Sequence, residues 1–473
     1  MMRRRAWLQA GAAWALGPAW AGGHTAPADG AVVLQAAPAV LPLAGQQELA
    51  VWAYGGRVPG PTLRLRRGQT LDALLRNRLP EATTIHWHGV RVPNAMDGVP
   101  GLTQEPVPPG ADFRYRYVVP DPGTYWYHPH LGTPEQVERG LAGALIVEDD
   151  EPPPVQRELV WLLDDWRLDA QGRIAEDFYS FHDIAHAGRL GQQLTVNGVA
   201  VPTESLRSGE RVRLRLINAA NARIFALTLQ GLPAWLIARD GMPAAQAVPW
   251  EGELLLGPGM RADFIVDARA AGRYALRDHG RAGARELALL QVRGGTVAAQ
   301  AEPRPAQAVP LPEPDLAGAL RHTLVLGGGA MSASGWPQES EAERAARRQR
   351  QQQGLREPAP AWTINGQAHL THSREHAAHA AEFRVPRGRT VHLTLDNRTR
   401  WWHPMHVHGH HFRVLARNGQ ALPERPWRDT VLLAPGDRVE LVFVADNPGW
   451  WLIHCHVLEH HAGGMGTVFE VLG

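Results

Sequence analysis

The single cysteine of this 473-residue chain, Cys455, stands between His454 and His456, and His460 and Met465 follow within reach of a loop. A thiolate, imidazoles and a weak thioether are the donors of a blue-copper electron-transfer site. Neighbouring side chains of a strand point to opposite faces. A strand over 451–457 therefore turns Cys455 to one side and His454 and His456 to the other. Such a segment can serve two metal sites joined by a few covalent bonds. The thiol side still lacks a second histidine, and the opposite face needs further nitrogen ligands. A lone cysteine near histidines also fits a thiol nucleophile, but that reading leaves the chain's other histidines without a role.

The missing nitrogens are present. Four His-x-His pairs occur: His86/His88, His128/His130, His406/His408 and His454/His456. In a strand, residues i and i+2 share a face, so each pair projects two imidazoles together. Eight convergent imidazoles exceed the needs of one ion. They suit a cluster of about three ions with two or three protein ligands each and open positions for a small molecule. His403, in Trp402-His403-Pro404-Met405-His406, is out of register with the following pair and can turn to the Cys455 side. His403, Cys455 and His460 then form a trigonal set with Met465 as axial ligand.

Elements that place these residues recur along the chain. Gly68–Asn77, Gly209–Asn218 and Gly388–Asn397 share one spacing and alternate polar with apolar residues, the pattern of a half-buried strand. Pro109-Gly110, Pro258-Gly259 and Pro435-Gly436 each precede a strand-like run, with another glycine thirteen positions on at Gly123, Gly272 and Gly449. Short strands with Gly/Pro turns imply an all-β chain of three Greek-key sandwiches over residues 30–150, 155–295 and 320–473. The histidine pairs sit at matching places in the first and third copies. The second has Leu227, Leu229, Arg277 and His279 there, so it reads as a ligand-free spacer and wall, with His279 a solvated loop residue.

Net charge is +1 and all 48 basic residues are arginine. This balance suggests no nucleic-acid or anionic-surface partner, and one cysteine excludes an intrachain disulfide framework. Residues 1–21 read as a signal peptide, with Arg3-Arg4-Arg5 before an apolar run and Ala19-Trp20-Ala21 at its end. Arg4-Arg5 fits a twin-arginine export signal; an ordinary secretory signal with a basic start is the alternative. No later run is long enough to span a bilayer, so a soluble, exported, periplasmic monomer is expected. Acidic then basic residues across Gln338–Gly354 suit a short exposed helix or a disordered insert.

The motifs Thr84-Ile-His86-Trp-His88-Gly, Tyr125-Trp-Tyr-His128-Pro-His130, His403-Pro-Met-His406-Val-His408-Gly and His454-Cys-His456-Val-Leu-Glu-His460-x4-Met465 resemble those of the multicopper oxidases, most closely the three-domain bacterial laccase and cuprous-oxidase type. The resemblance implies cupredoxin-like sandwiches and copper, one type 1, one type 2 and a type 3 pair per chain. His86 and His406 would hold type 2. His88, His128 and His456 would hold one type 3 ion, and His130, His408 and His454 the other. His403, Cys455, His460 and Met465 would hold type 1, at a modest potential given the methionine. A small-molecule or metal-ion donor would reduce type 1 one electron at a time through the outer edge of His403 or His460, and O2 would become water at the cluster. A copper-binding protein without turnover would use the same ligands.

Asp97 matches a family aspartate that handles protons near the cluster, and is otherwise a turn residue before Gly98. Asp429 matches a position beside type 1 that could meet the substrate; a structural turn is the alternative. His461 stands where bacterial relatives carry a proton-supplying glutamate, and could relay protons or simply be exposed. Between Met331 and Trp362, where cuprous oxidases are methionine-rich, Met331 is the only methionine. That favours a laccase-like donor over a cuprous ion. His369, His372, His376 and His379 form a cluster that could bind surface metal.

Overall fold

The pattern ending in a shared asparagine becomes the same eight-residue strand three times, Thr70–Asn77, Arg211–Asn218 and Thr390–Asn397. The structure is a computed structural model describing residues 30–473 except 281–282, 306–308, 333–334, 338–340, 353–357 and 371–380. The expected signal at 1–21 lies outside the described residues, as do His372, His376 and His379. Each repeated strand pairs in parallel with the first strand of its domain (Val32–Leu43, Arg157–Trp166, Leu320–Gly328). On its other side it pairs antiparallel with the strand after the Pro-Gly turn (Asp112–Val118, Arg261–Asp267, Arg438–Val444). Among the described residues the strands form six sheets, two per sandwich, with four and four, six and five, and seven and five strands. This is the cupredoxin-like Greek-key arrangement expected.

One set of hydrogen bonds explains why both sequence markers recur. Asn77 donates its side-chain amide to the carbonyls of Glu81 and Val107 and accepts from the Leu79 N–H. Asn218 does the same with Arg223, Leu256 and Ala220, and Asn397 with Trp401, Ala434 and Thr399. The N–H of each turn glycine, Gly110, Gly259 and Gly436, donates to the backbone carbonyl of the same asparagine. These glycines have φ of +82°, +78° and +81°, a region that only glycine enters at no cost. In domain three this knot fixes the loop entering His403. Asn397→Ala removes two donated bonds, while the Trp401 carbonyl keeps the Thr399 hydroxyl and the Ala434 carbonyl keeps the Asp437 N–H; at a net ~0.5–1.5 kcal/mol per bond the loss should be about 1–3 kcal/mol, measured by urea denaturation. Asn397→Asp, which cannot donate, should recover little.

In domain two the repeated strand departs from a half-buried reading, because all eight of its residues are buried. One face carries Arg211, Arg213 and Arg215, paired with Asp267, with Asp149 and Asp263, and with Glu158 and Asp263 respectively; Arg213 and Arg215 reach domain one through Asp149 and the Thr124 hydroxyl. Buried guanidinium groups are tolerated when paired in this way.

Strands His86–His88 and Gly123–His128 lie antiparallel with His86 opposite His128. Strands His403–Val407 and Gly449–Cys455 repeat this, with His406 opposite His454 and Met405 opposite Cys455. The strand Gly449–Cys455 stops short of the expected Val457: the His456 N–H still bonds the carbonyl of its in-register partner Pro404, but proline has no N–H to return the bond. His130 and His408 likewise stand just past their strand ends, and Pro129 has no N–H to extend the ladder. Only His86/His88 is a pair within one strand; the others straddle strand ends, where two rings can diverge towards different ions. The segment read as a helix or disordered contains the α-helix Glu341–Gln352.

Candidate metal centres

His403, Cys455 and His460 converge. Cys455 Sγ lies 3.5 Å from His403 Nδ1 and 3.6 Å from His460 Nδ1, and the two nitrogens are 3.1 Å apart. All three residues are buried. Met465, also buried, is tied beside them: its N–H donates to the His460 carbonyl and its carbonyl accepts the Cys455 N–H, both at 3.0 Å. Burial pushes the thiol up and both imidazoles down, His460 to about 3. The imidazoles are therefore neutral ligands, and binding a cation at the thiol releases its proton.

Across the backbone from Cys455, the eight paired histidines close into one cluster. His88 stacks on His406 at 3.8 Å and His86 on His408 at 4.0 Å, so domains one and three meet ring on ring. His88, His128 and His456 bring nitrogens together, as do His86, His88 and His406. His408 Nε2 is 3.1 Å from His454 Nε2, and His130 lies 5.1 and 5.2 Å from their ring centres.

Outer partners fix the tautomers. The Nδ1–H groups of His86, His128, His406 and His454 donate to the carbonyls of Asp97, Pro129, Asp429 and Cys455. Such bonds orient a metal-binding imidazole and leave its other nitrogen free to coordinate. The Nε2 atoms of His86, His128, His406 and His456, and Nδ1 of His88, are buried without a hydrogen-bond partner. Each unpaired buried polar atom costs about 1–3 kcal/mol, so a convergent set calls for ions. Burial and mutual repulsion hold the rings of His88, His128, His408, His454 and His456 well below the usual imidazole range. Neutral nitrogens around one thiol site and one larger site fit copper.

Asp97 is buried among these rings, its carboxylate accepting from His408 Nδ1 at 2.9 Å and lying 3.3 Å from His86 Nδ1. Asp429 is not at the thiol site, where the sequence reading put it. The strand Thr430–Leu433 pairs with His403–Val407, Thr430 opposite His406, and this register delivers Asp429 to the cluster. Its carboxylate is 3.4 Å from His88 Nε2 and 3.6 Å from His406 Nδ1. It is fully buried, so no donor reaches it. Burial alone would raise its carboxyl; Arg261, bonded to both oxygens at 2.8 and 2.6 Å, holds it well below the usual range.

Domain two contributes no imidazole, but it is more than a spacer. Arg261 opens the strand after its Pro-Gly turn, and Gly259 in that turn faces His88 and His456 so closely that a Cβ would lie 2.9 Å from both rings. The sequence reading used Gly259 only as part of the second repeat marker and missed its role, and it missed Arg261 two residues further on. His279, exposed and bonded to Thr228, is the loop residue expected. His461 lies 4.3 Å from the His454 ring, so this half-buried residue faces the cluster. His369 is buried, with its N–H on the Gly464 carbonyl, which argues against a surface metal role.

Family profiles described as multicopper oxidase match residues 37–152, 157–295 and 346–472. The multicopper oxidase MmcO of Mycobacterium tuberculosis is 31% identical over 457 residues, covering 89% of this chain and 82% of that protein. The crystal structure of a multi-copper oxidase from Pseudomonas thermotolerans matches with a TM-score of 0.80 at 34% identity, over 93% of this chain and 100% of that one. A multicopper oxidase of Campylobacter jejuni, described as a metallo-oxidase, matches with a TM-score of 0.78 at 26% identity, over 94% and 92%. Similarity of this length runs through all three sandwiches and both histidine sites, and the chain belongs to the multicopper oxidase family.

Proposed function

We propose that this copper-dependent, O2-reducing oxidoreductase is laccase-like, taking single electrons from phenolic and other aromatic donors. His403, Cys455, His460 and Met465 would hold the type 1 ion. His86 and His406 would hold type 2, and the type 3 pair would take His88, His128 and His456 and His130, His408 and His454. The observation that carries this assignment is the His454-Cys455-His456 segment, whose thiol serves one site while its neighbours serve the other.

Bound copper supplies one-electron oxidation at the thiol site and reduction of O2 to water at the cluster. The chain supplies position and charge. Cys455 links the two sites through its own backbone. The outer carbonyls hold the ligand rings, and Asp97 lies where it can hold a proton at His408 Nδ1. Twin-arginine export to the periplasm and a monomeric state belong to the same reading.

The absence of further methionines between Met331 and Trp362 supports an aromatic donor over cuprous ion. The relative described as a metallo-oxidase makes metal-ion oxidation the competing reading. Steady-state O2 uptake with a phenol, with ferrous ion and with cuprous ion, each with and without excess copper, separates them. Uptake with the phenol and no added copper is expected. Fast uptake with cuprous ion alone, together with a phenol reaction that requires added copper, would replace the laccase-like reading with a metallo-oxidase.

A further inference from the structure

Neither imidazole of the thiol site offers an edge to solvent. His460 Nε2–H donates to the His186 carbonyl at 2.7 Å, at the end of the short helix Phe181–Ala185 from domain two. His403 Nε2 meets the Thr399 hydroxyl at 2.8 Å. Trp362 packs 4.3 Å from the His460 ring and 5.1 Å from that of His403, its N–H bonded to the Ile184 carbonyl. A donor therefore cannot touch a ligand ring, in contrast to the direct contact expected from the sequence.

Both outer bonds instead lead to one half-buried residue, Trp401. Its backbone N–H donates to the Thr399 hydroxyl at 3.1 Å, and its ring meets that of His186 edge-on at 5.4 Å. Its indole N–H donates to the Ala330 carbonyl, and Ala330 in turn donates to the Ala185 carbonyl. This ring is therefore fixed against the helix that covers His460. Around it the wall is aromatic. His182 and His186 stack at 4.3 Å and 14°, and Phe181 packs on Trp336 at 5.1 Å. Among the described residues, the exposed phenylalanine and tryptophan side chains are Phe181 (47%), Trp336 (44%) and Trp402 (38%). Two of them form this wall, and the third adjoins Trp401 in the chain. The helix's carboxylate, Asp183, is buried and held by Arg167 at 2.6 and 2.9 Å, so it does not offer a hydrated cation a ligand.

We propose that an electron-rich phenol docks on the platform of Trp401, His186, Phe181 and Trp336, and that its electron enters through Trp401 and the His186 carbonyl without the donor touching a copper ligand. The proposal rests on the laccase-like reading and adds the residues that select the donor. Stacking on fixed rings favours planar aromatic molecules. Each phenol loses one electron and its hydroxyl proton. The electron reduces the type 1 ion from Cu(II) to Cu(I), the proton passes to water, and a phenoxyl radical departs. Four such events balance the reduction of one O2 and the uptake of four protons to give two waters.

Two measurements test the platform. In anaerobic stopped flow, Trp401→Ala should slow bleaching of the blue band by guaiacol about ten-fold, with Trp401→Phe largely restoring it, because a ring is what the site uses. The type 1 resonance signal and potential should remain those of the wild type, which a merely disrupted site would not preserve. Separately, the copper-loaded wild-type protein, fully reduced and anaerobic, should bind anisole in saturation-transfer NMR, with Phe181→Ala and Trp336→Ala about five-fold weaker, within the range of aromatic contacts. Unchanged bleaching in Trp401→Ala, or anisole binding that is absent or unaffected by both alanine variants, overturns the platform. If anisole binds there but guaiacol fails to bleach the wild type, the laccase-like reading falls and the ring-binding surface stands.

Discussion

Cys455→Ser should fold normally, bind no blue copper and lose oxidase activity by more than about a hundred-fold, beyond the ~10–100-fold typical of losing an outer partner of a metal ligand. Serine is close in shape to cysteine and only slightly smaller, so the packed site loses little volume. Its hydroxyl can still meet the His403 and His460 nitrogens, which lie 3.5 and 3.6 Å from the sulfur. A hydroxyl is a poor copper ligand where a soft thiolate is required, and it removes the first atom of the path to His454 and His456. Visible absorption, O2 uptake with a phenol and thermal unfolding check the three parts. Substantial oxidase activity in the colourless protein would show that electrons reach the cluster by another route.

Arg261→Leu should have the next largest effect, at the other site. The guanidinium is fully buried and neutralises Asp429. Breaking a buried pair from one side costs about 3–5 kcal/mol, because a buried charge is left uncompensated. The damage should spread to the cluster, since the Asp429 carbonyl orients His406 and its carboxylate accepts from the Thr430 hydroxyl, itself 3.2 Å from His88 Nε2. The type 2 resonance signal should be lost while the blue colour persists, because His403, Cys455 and His460 make no contact with this pair. Adding Asp429→Asn removes the stranded charge and should restore part of the stability. The Asp429 carboxyl is depressed in the folded protein. Its contribution is therefore full above the ordinary carboxylate range near about 4 and is lost only as pH falls through the lower folded value. Urea denaturation and resonance spectra are the measurements; wild-type stability with both copper signals intact would remove Arg261 from the account.

The ligands were legible because their spacing is tied to two markers that one hydrogen-bond knot holds together. Asn77, Asn218 and Asn397 bond the same loops in all three domains, so a count of residues from the asparagine becomes a place in the sandwich. The alternation that separates Cys455 from His454 and His456 is a property of any strand and needs no tertiary information. Asp429 was misplaced because its position depends on which strand Thr430 pairs with, a register no local pattern in 427–430 records. Arg261 and Gly259 were hidden for a related reason. They lie in the domain without ligands, and their role appears only when that domain packs on the other two. The His186 carbonyl that caps His460 is a backbone atom 274 positions away, and side-chain chemistry carries no sign of it. His461 was read as relay or surface residue because the residue following His460 can face either way on a helix or a loop.

The central claim is that one thiol site and one larger imidazole cluster both hold copper and share the Cys455 segment. Total copper per chain, compared with the copper visible by electron paramagnetic resonance in the isolated protein, tests it most directly. A blue type 1 signal and a separate type 2 signal are expected, with total copper about twice the visible amount because a coupled type 3 pair is silent. A single blue signal that accounts for all the copper would contradict it, leaving an electron carrier with an unloaded histidine cluster.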